Sequence, residues 1–393
     1  MNLPKRTKVL LSILLLAVVF FLVITPVSAE TVLFNLTEQR ISDITDAFEF
    51  TNSELGLSDT TRRLSDPIDE PERGVVKVRI PPTQKSTRET INASLHVLSD
   101  DTFTSFLTNT VDNKSNCITG YGMDHTGSLL LLVNRDYRES ELDTFLRELD
   151  ELTIQTNRSV LPVTFRTFSL NISTVDPNIR TFPATRATQH DRWRPIIGGI
   201  HGYAVDNGGI DNTIGFAAMK NGQKGFVTHG HLLTTQAQMY QPAYQDSTTL
   251  LGTVNQIGRT YSDSAWIPYP NVEAAIYQAG YPSTQKRPVS TYANYPLDGY
   301  LVMAGAVTGS SSGLQTGMIS YFTCQLGVLR DQYFGSYSSQ IGDSGAPIYQ
   351  QDSTTHEIRL VGLHYGIEDN SGDSVYAPLN GVIRDLGITP LTS

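Results

Sequence analysis

Two short stretches of this sequence carry residues able to do covalent chemistry. Near the C-terminus stands Gly342-Asp343-Ser344-Gly345-Ala346-Pro347, and upstream lies Thr228-His229-Gly230-His231. A serine hydroxyl becomes a useful nucleophile only when a base such as histidine takes its proton. The reaction also needs donors aimed at the oxygen that turns negative during attack. Glycines around Ser344 permit the tight turn on which consecutive N–H groups converge. A carboxylate completes such a site by fixing the imidazole tautomer and favouring its protonated form. Ser262-Asp263-Ser264-Ala265-Trp266-Ile267 offers one at the entry to an apolar strand. These residue types point to acyl transfer, with Ser344 as nucleophile, His231 as base and Asp263 as orienting acid. The chemistry calls for no metal and no cofactor. Residues so far apart in sequence can meet only through tertiary folding.

The elements that must position them read as all-β. From Ile196 onward Gly, Tyr, Ser, Thr and Val dominate, with frequent turn signals. Strands are predicted over Gly225 to Thr228, Leu250 to Ile257, Ala265 to Pro268, Tyr300 to Val307, Thr316 to Thr323 and Ile358 to His364. Leu379 to Leu386 reads as a helix. Many short strands between turn signals imply a barrel or sandwich. The N-terminal half differs. Arg62 to Arg73 is a charged, proline-bearing linker. Leu129 to Val133 and Val160 to Leu170 read as strands. Between them Leu142, Phe145, Leu146, Leu149 and Leu152 fall at helical spacing, with Ser140 and Asp143 as a variant capping box. The connector over residues 174–195 carries Pro177, Pro183 and Pro195 and reads as an exposed processing site.

The motifs and their order resemble chymotrypsin-fold serine peptidases, most of all the secreted bacterial branch of α-lytic protease and the streptogrisins. Ile197-Gly198-Gly199 is similar to that branch's mature N-terminus. Lys224 to His231 resembles its K-G-F-V-T-A-G-H, Asp263 to Trp266 its D-x-A-W, and Gly309 to Gly317 its G-x-T-T-G-Y-Q-C-G. Gly342 to Gly345 matches G-D-S-G. The resemblance runs from Ile196 to about Leu386. It implies an all-β double six-stranded barrel, chymotrypsin-like, preceded by a small α+β pro-region that is later cut away. It implies His231, Asp263 and Ser344 as the catalytic triad and the N–H groups of Gly342 and Ser344 as the oxyanion hole. Val361 to Gly366 resembles the strand that lines the primary pocket and pairs with substrate backbone. His364, Tyr365 and Gly366 are therefore substrate-binding candidates. His364 stands where glutamate-specific relatives use a histidine to receive the substrate carboxylate. The sequence also departs from the branch. Asn212 and Leu232 occupy one cysteine pair's positions, Ala306 and Thr316 another's, and Ala346 replaces the glycine after G-D-S-G. Asp343 normally has a cationic partner in this fold, and an amine at Ile196 or Ile197 is the candidate.

The remaining signals concern compartment and partners. Lys5, Arg6 and Lys8 precede an apolar run from Val9 to Ile24, then Pro26 and Val27-Ser28-Ala29. That is the layout of a secretory signal peptide. If retained, the run would anchor the chain in a membrane with its catalytic part outside. The expected organisation is a signal peptide over 1–29, a polar segment over 30–75, an α+β region over 76–190 and the peptidase domain over 191–393. Sequons at Asn35, Asn92, Asn113, Asn157 and Asn171 could carry glycans. A net charge of −10 over 393 residues argues against a nucleic-acid partner. The expected partners are protein or peptide substrates and the chain's own pro-region. Cys117 and Cys324 are expected to stay unpaired.

Other readings use some of the same residues. Gly309-Ser310-Ser311-Ser312-Gly313 fits G-x-S-x-G, with Asp331 and His356 following in the order of an esterase. That motif needs a strand-to-helix elbow, whereas Leu314 to Tyr321 reads as strand. His201, His229 and His231 could offer nitrogens to zinc, but no cysteine or carboxylate cluster completes the set. A last reading keeps the fold with a silent triad, as an extracellular binding protein.

Overall fold

The computed structural model describes residues 75–79, 87–172 and 189–393, less 114–116, 135, 157–161, 207, 243–246, 279–284, 297–298, 353–354, 356 and 370. The signal segment, the sequons at Asn35 and Asn157, and His356 lie outside the described residues. The N-terminal region contains β1 (Val75–Arg79), α1 (Thr87–Leu98), α2 (Asp101–Asp112), β2 (Ile118–Asp124), β3 (Leu129–Val133), α3 (Glu139–Gln155), β4 (Val163–Thr167) and β5 (Leu170–Asn171). All five residues of β3 are buried, as expected of a strand covered on both faces. It runs parallel to β4 with α3 as the crossover, and the strand order is β1-β4-β3-β2. The predicted capping box at Ser140 does not form. α3 starts behind Arg138, which makes no side-chain cap. α1 and α2 carry no strong helical signal in the sequence, because their Thr and Asn content weakens helix propensity. Asp100 starts α2 by accepting from the N–H groups of Thr102 and Phe103. Buried Phe103, Leu107 and Val111 then hold one face of α2 down.

β6 (Ile196–Gly198) leads into β7 (Ile200–Val205), β8 (Gly209–Ile214), β9 (Phe216–Lys220), β10 (Gln223–Thr228), β11 (Gln238–Tyr240), β12 (Leu250–Thr253), β13 (Gln256–Gly258) and β14 (Ser264–Pro268). β8 continues into β9 across Gly215, whose N–H donates to Val227 O at 2.7 Å. β12 continues into β13 across Val254 and Asn255, whose N–H groups reach Ala237 O and Trp266 O. The predicted strand over Leu250 to Ile257 is thus bent rather than straight. Counting the bent strands as one each, the ladder closes on itself as β7, β8/β9, β10, β14, β13/β12, β11 and back to β7. Side-chain alternation sets the faces. Phe226, Ala265 and Ile267 fill this barrel, while Val227 and Trp266, one residue out of phase, join the apolar core shared with the second barrel.

β15 (Val272–Tyr277) and β16 (Lys286–Tyr292) carry the chain onward to β17 (Tyr300–Gly305), β18 (Gly309–Cys324), β19 (Gly327–Gly335), β20 (Pro347–Gln351), β21 (Ile358–Glu368), β22 (Ser374–Pro378), α4 (Leu379–Leu386) and β23 (Thr389–Pro390). These give a second closed ring, β17-β18-β19-β22-β21-β20 and back to β17. The molecule is therefore a double six-stranded β-barrel of chymotrypsin type with an α+β region ahead of it. Cys117 and Cys324 are free, and burial pushes both thiols up to about 11.

The N-terminal region joins the second barrel directly. β17 pairs with the first part of β18, and β2 pairs with Gly317 to Phe322 beyond it. Gly122 allows this approach, since a Cβ there would lie 2.0 Å from Met318 O. Buried Arg166 of β4 reaches Asp373 at 3.2 Å and lies over the Phe334 ring. β5 pairs with the end of β21, Asn171 opposite Ile367 and Leu170 opposite Glu368. Residues just before β6 are built into the barrels. Gln189 Nε2 donates to Gly199 O and Gly305 O, and Arg194 and the Trp193 N–H both bind Gln241.

Candidate active site

Strand register brings the first two candidates together. β10 and β14 are antiparallel, with Thr228 opposite Ala265. His231, just past the end of β10, therefore meets Asp263, just before the start of β14. Both are buried, and His231 Nδ1 makes a close hydrogen bond to Asp263 Oδ2. Asp263 Oδ1 accepts from Arg259 Nη1 at 2.8 Å, and Arg259 Nη2 donates to Gly230 O at 2.6 Å. The loop between them is organised by α4. Asp385 Oδ2 accepts from the N–H groups of Thr260, Tyr261 and Ser262 at 3.1, 2.9 and 2.9 Å, and from the Ser262 hydroxyl.

His229 lies beside this pair, its ring centroid 4.1 Å from that of His231. It is buried, and among the described residues neither ring nitrogen has a hydrogen-bond partner. Burial holds its pKa well below the usual imidazole value, so it is neutral. Ligand atoms of His229, His231 and Asp263 lie within 4.8 Å of one another. His201, the third histidine weighed for zinc, belongs elsewhere: its Nε2 pairs with Asp211 at 2.8 Å.

Ser344 stands in the loop between β19 and β20, and first-barrel strands pin that loop. The Thr213 N–H donates to Ser344 O at 2.9 Å, and Thr213 Oγ1 donates to Gly342 O at 3.1 Å while accepting from the Ala306 N–H. Thr228 Oγ1 donates to Thr213 O. Gly345 has φ +93°, and a Cβ there would lie 2.3 Å from Thr213 O. The loop is also stitched to β21, through Gly345 N–H to His364 O and His364 N–H to Ala346 O. Among the described residues, the N–H groups of Gly342 and Ser344 donate to no acceptor within the chain. Ser344 Oγ donates to Tyr365 O at 3.3 Å in this rotamer.

Asp343 has partners the sequence did not reveal. Its carboxylate accepts from the N–H groups of Val307, Thr308 and Gln340, and closely from the Thr308 hydroxyl. In the intact chain Ile196 N is a peptide nitrogen that donates to Asn271 O. Burial raises the Asp343 pKa despite these bonds.

The substrate-binding candidates lie along β21. His364 is buried, with Nδ1 3.1 Å from the Tyr337 hydroxyl. Burial pushes its pKa down to about 3, so it is neutral near pH 7. Tyr365 is buried and Gly366 lies against Leu170, Asn171 and Ile172. Ser311, the esterase candidate, sits within β18 with its hydroxyl accepting from the Ser338 N–H. It is on no strand-to-helix elbow.

Two closed rings, with a serine loop of the second fastened beside an imidazole–carboxylate pair of the first, define a chymotrypsin-like double barrel. No protein-family model and no curated protein matches the chain. Among solved structures it is similar to Thermobifida fusca Protease A, at 21% identity and a TM-score of 0.41, over 50% of this chain and 99% of that one. It is similar to a glutamic acid specific serine protease described as using a histidine triad in substrate binding, at 19% identity and a TM-score of 0.41, over 50% of this chain and 100% of the other. A chymotrypsin of Cellulomonas bogoriensis is similar at 22% identity and a TM-score of 0.39, over 50% and 99%. At these values the fold rests on the strand rings themselves.

Proposed function

We propose that the chain is a secreted serine endopeptidase. The observation that supports it best is a buried His231–Asp263 pair whose strand end, at Thr228 and His229, packs against Gly345 of the Ser344 loop, where among the described residues the Gly342 and Ser344 N–H groups donate to no acceptor. Ser344 Oγ turns from Tyr365 O toward His231 and attacks the peptide carbonyl, and its proton passes to His231 Nε2. The Gly342 and Ser344 N–H groups receive the oxyanion. Collapse breaks the C–N bond, the amine leaves with the proton from His231, and water hydrolyses the acyl-enzyme by the same route in reverse. A fluorophosphonate probe tests this reading. Labelling at Ser344, lost in Ser344→Ala, is expected. Labelling at Ser311 would favour the esterase, and no labelling of a matured chain would favour a binding protein.

The α+β region fits a pro-region, and the supporting feature is β5. It lies along the edge of β21 just beyond Gly366, where an extended substrate would add as a strand. Because Gln189 to Arg194 are bonded into the barrels, the cut falls N-terminal to Gln189, within residues 173–188. N-terminal sequencing of the secreted product checks this, and an intact, fully active chain would rule it out. Acidic specificity would use His364 as a hydrogen-bonding group rather than a charge, since it is neutral. His364→Ala should then lose cleavage after acidic residues selectively, whereas an equal loss on every substrate would refute it.

A further inference from the structure

Asp263 has two partners, and the reaction uses one. His231 takes Oδ2 and Arg259 takes Oδ1. Arg259 sits four residues before Asp263, and its side chain is only partly exposed while Asp263 is fully buried. Its other terminal nitrogen holds the carbonyl of Gly230, the residue preceding His231. The guanidinium thus grips both sides of the imidazole–carboxylate pair. Asp385 of α4 fixes the intervening loop, so the grip does not depend on Arg259 alone.

Four other titratable groups near this pair are neutral near pH 7, while the Asp385 carboxylate faces it across the 260–262 loop, held by three N–H groups and the Ser262 hydroxyl. Burial keeps His229 and His364 neutral. Burial also holds Cys324 and Tyr365 in their protonated forms. Arg259 is the cation in direct contact with the Asp263 carboxylate. A guanidinium stays charged throughout the working range and holds a carboxylate through a rigid fork. A positive charge on one carboxylate oxygen weakens the pull of that carboxylate on a protonated imidazole at the other.

We propose that Arg259 is a positioning residue that sets the acid limit of the site. By sharing Asp263 it orders the carboxylate and keeps His231 available as a base at lower pH than an unshared carboxylate would allow. This rests on the peptidase reading, and one measurement separates the two.

That measurement is the pH titration of the His231 ring 15N signals in the full chain, which needs no turnover. In Arg259→Gln the midpoint should rise by about half to one pH unit, and Arg259→Lys should fall between it and wild type. The acid limb of kcat/KM should move with it, while kcat at its plateau falls about tenfold. A midpoint unchanged in both variants, or a fall in kcat with no movement of the acid limb, overturns the proposal. If Arg259→Gln does not fold, Arg259→Lys decides alone, because one ammonium cannot span both Asp263 and Gly230. Ser344 labelling with an unmoved midpoint removes the Arg259 role and leaves the peptidase reading standing. A moved midpoint without labelling does the reverse.

Discussion

At the scale of single residues, the Ser344 loop depends on donors that carry no charge. Asp343 is buried and held by three N–H groups and the Thr308 hydroxyl. Thr308→Val removes one donor and leaves the carboxylate short of a partner. The expected cost is about 1–3 kcal/mol of stability, read by denaturant titration, with kcat down about tenfold and KM little changed. A full stability loss with kcat intact would detach Asp343 from the proposed chemistry of the Ser344 loop. Ser344, His231 and Asp263 stood out as candidates because each sits in a distinctive local run. Thr213, Arg259 and Thr308 did not, because their partners lie on other strands or across a loop. An isolated Thr or Arg looks the same in sequence whether it faces solvent or ties two barrels together. The donors around Asp343 were not legible either, because Val307 and Thr308 lie on a distant turn.

At the scale of elements, α4 serves the site from a distance. Asp385 collects three N–H groups and a hydroxyl from residues 260–262. Asp385→Ala strands those donors and should cost about 2 kcal/mol. It should also lower kcat more than KM, because Arg259 and Asp263 flank the loosened loop. Asp385→Asn keeps one acceptor oxygen and should be milder. Equal kinetics in wild type and Asp385→Ala would refute the link. α4 itself was predicted at its observed bounds, since its apolar period and Gly387 stop are local features. The bend of β12 into β13 was not, because it is made by pairing to Ala237 and Trp266. Docking of β2 onto β18 was equally invisible, as it joins residues nearly two hundred positions apart. Gly122→Val should break that joint, since its side chain would strike Met318 O. Faster hydrogen exchange over Gly317 to Phe322 is the expected signature, and unchanged exchange would contradict it.

For the whole molecule, buried histidines set acid stability. Burial lowers His190 to about 4, His364 to about 3, and His229 well below the ordinary 6.5. The unfolded chain therefore binds more protons than the folded one below that ordinary value. Their contribution is complete above about pH 6.5, declines as the pH falls, and levels off for His364 below about 3. Asp343 acts in the opposite sense. Its raised folded value means that stability grows as pH falls between that value and the ordinary 3.8. With three such imidazoles against one such carboxyl, the thermal midpoint is expected to drop from pH 7 to pH 3. His364→Gln should flatten that slope, and an identical slope would show that His364 does not contribute.

The seam along β18 has one more consequence. Detaching the N-terminal sheet would bare the ladder groups of Gly317 to Phe322, on a strand whose Met318, Ile319 and Phe322 are fully buried while the seam is closed. An unpaired strand margin seeks a replacement. A trimmed molecule would therefore be sticky where the whole chain is not, associating reversibly with its own kind or recapturing the severed piece. Sedimentation of the trimmed form across a dilution series would reveal that adhesion, and a concentration-independent monomer would dispose of it.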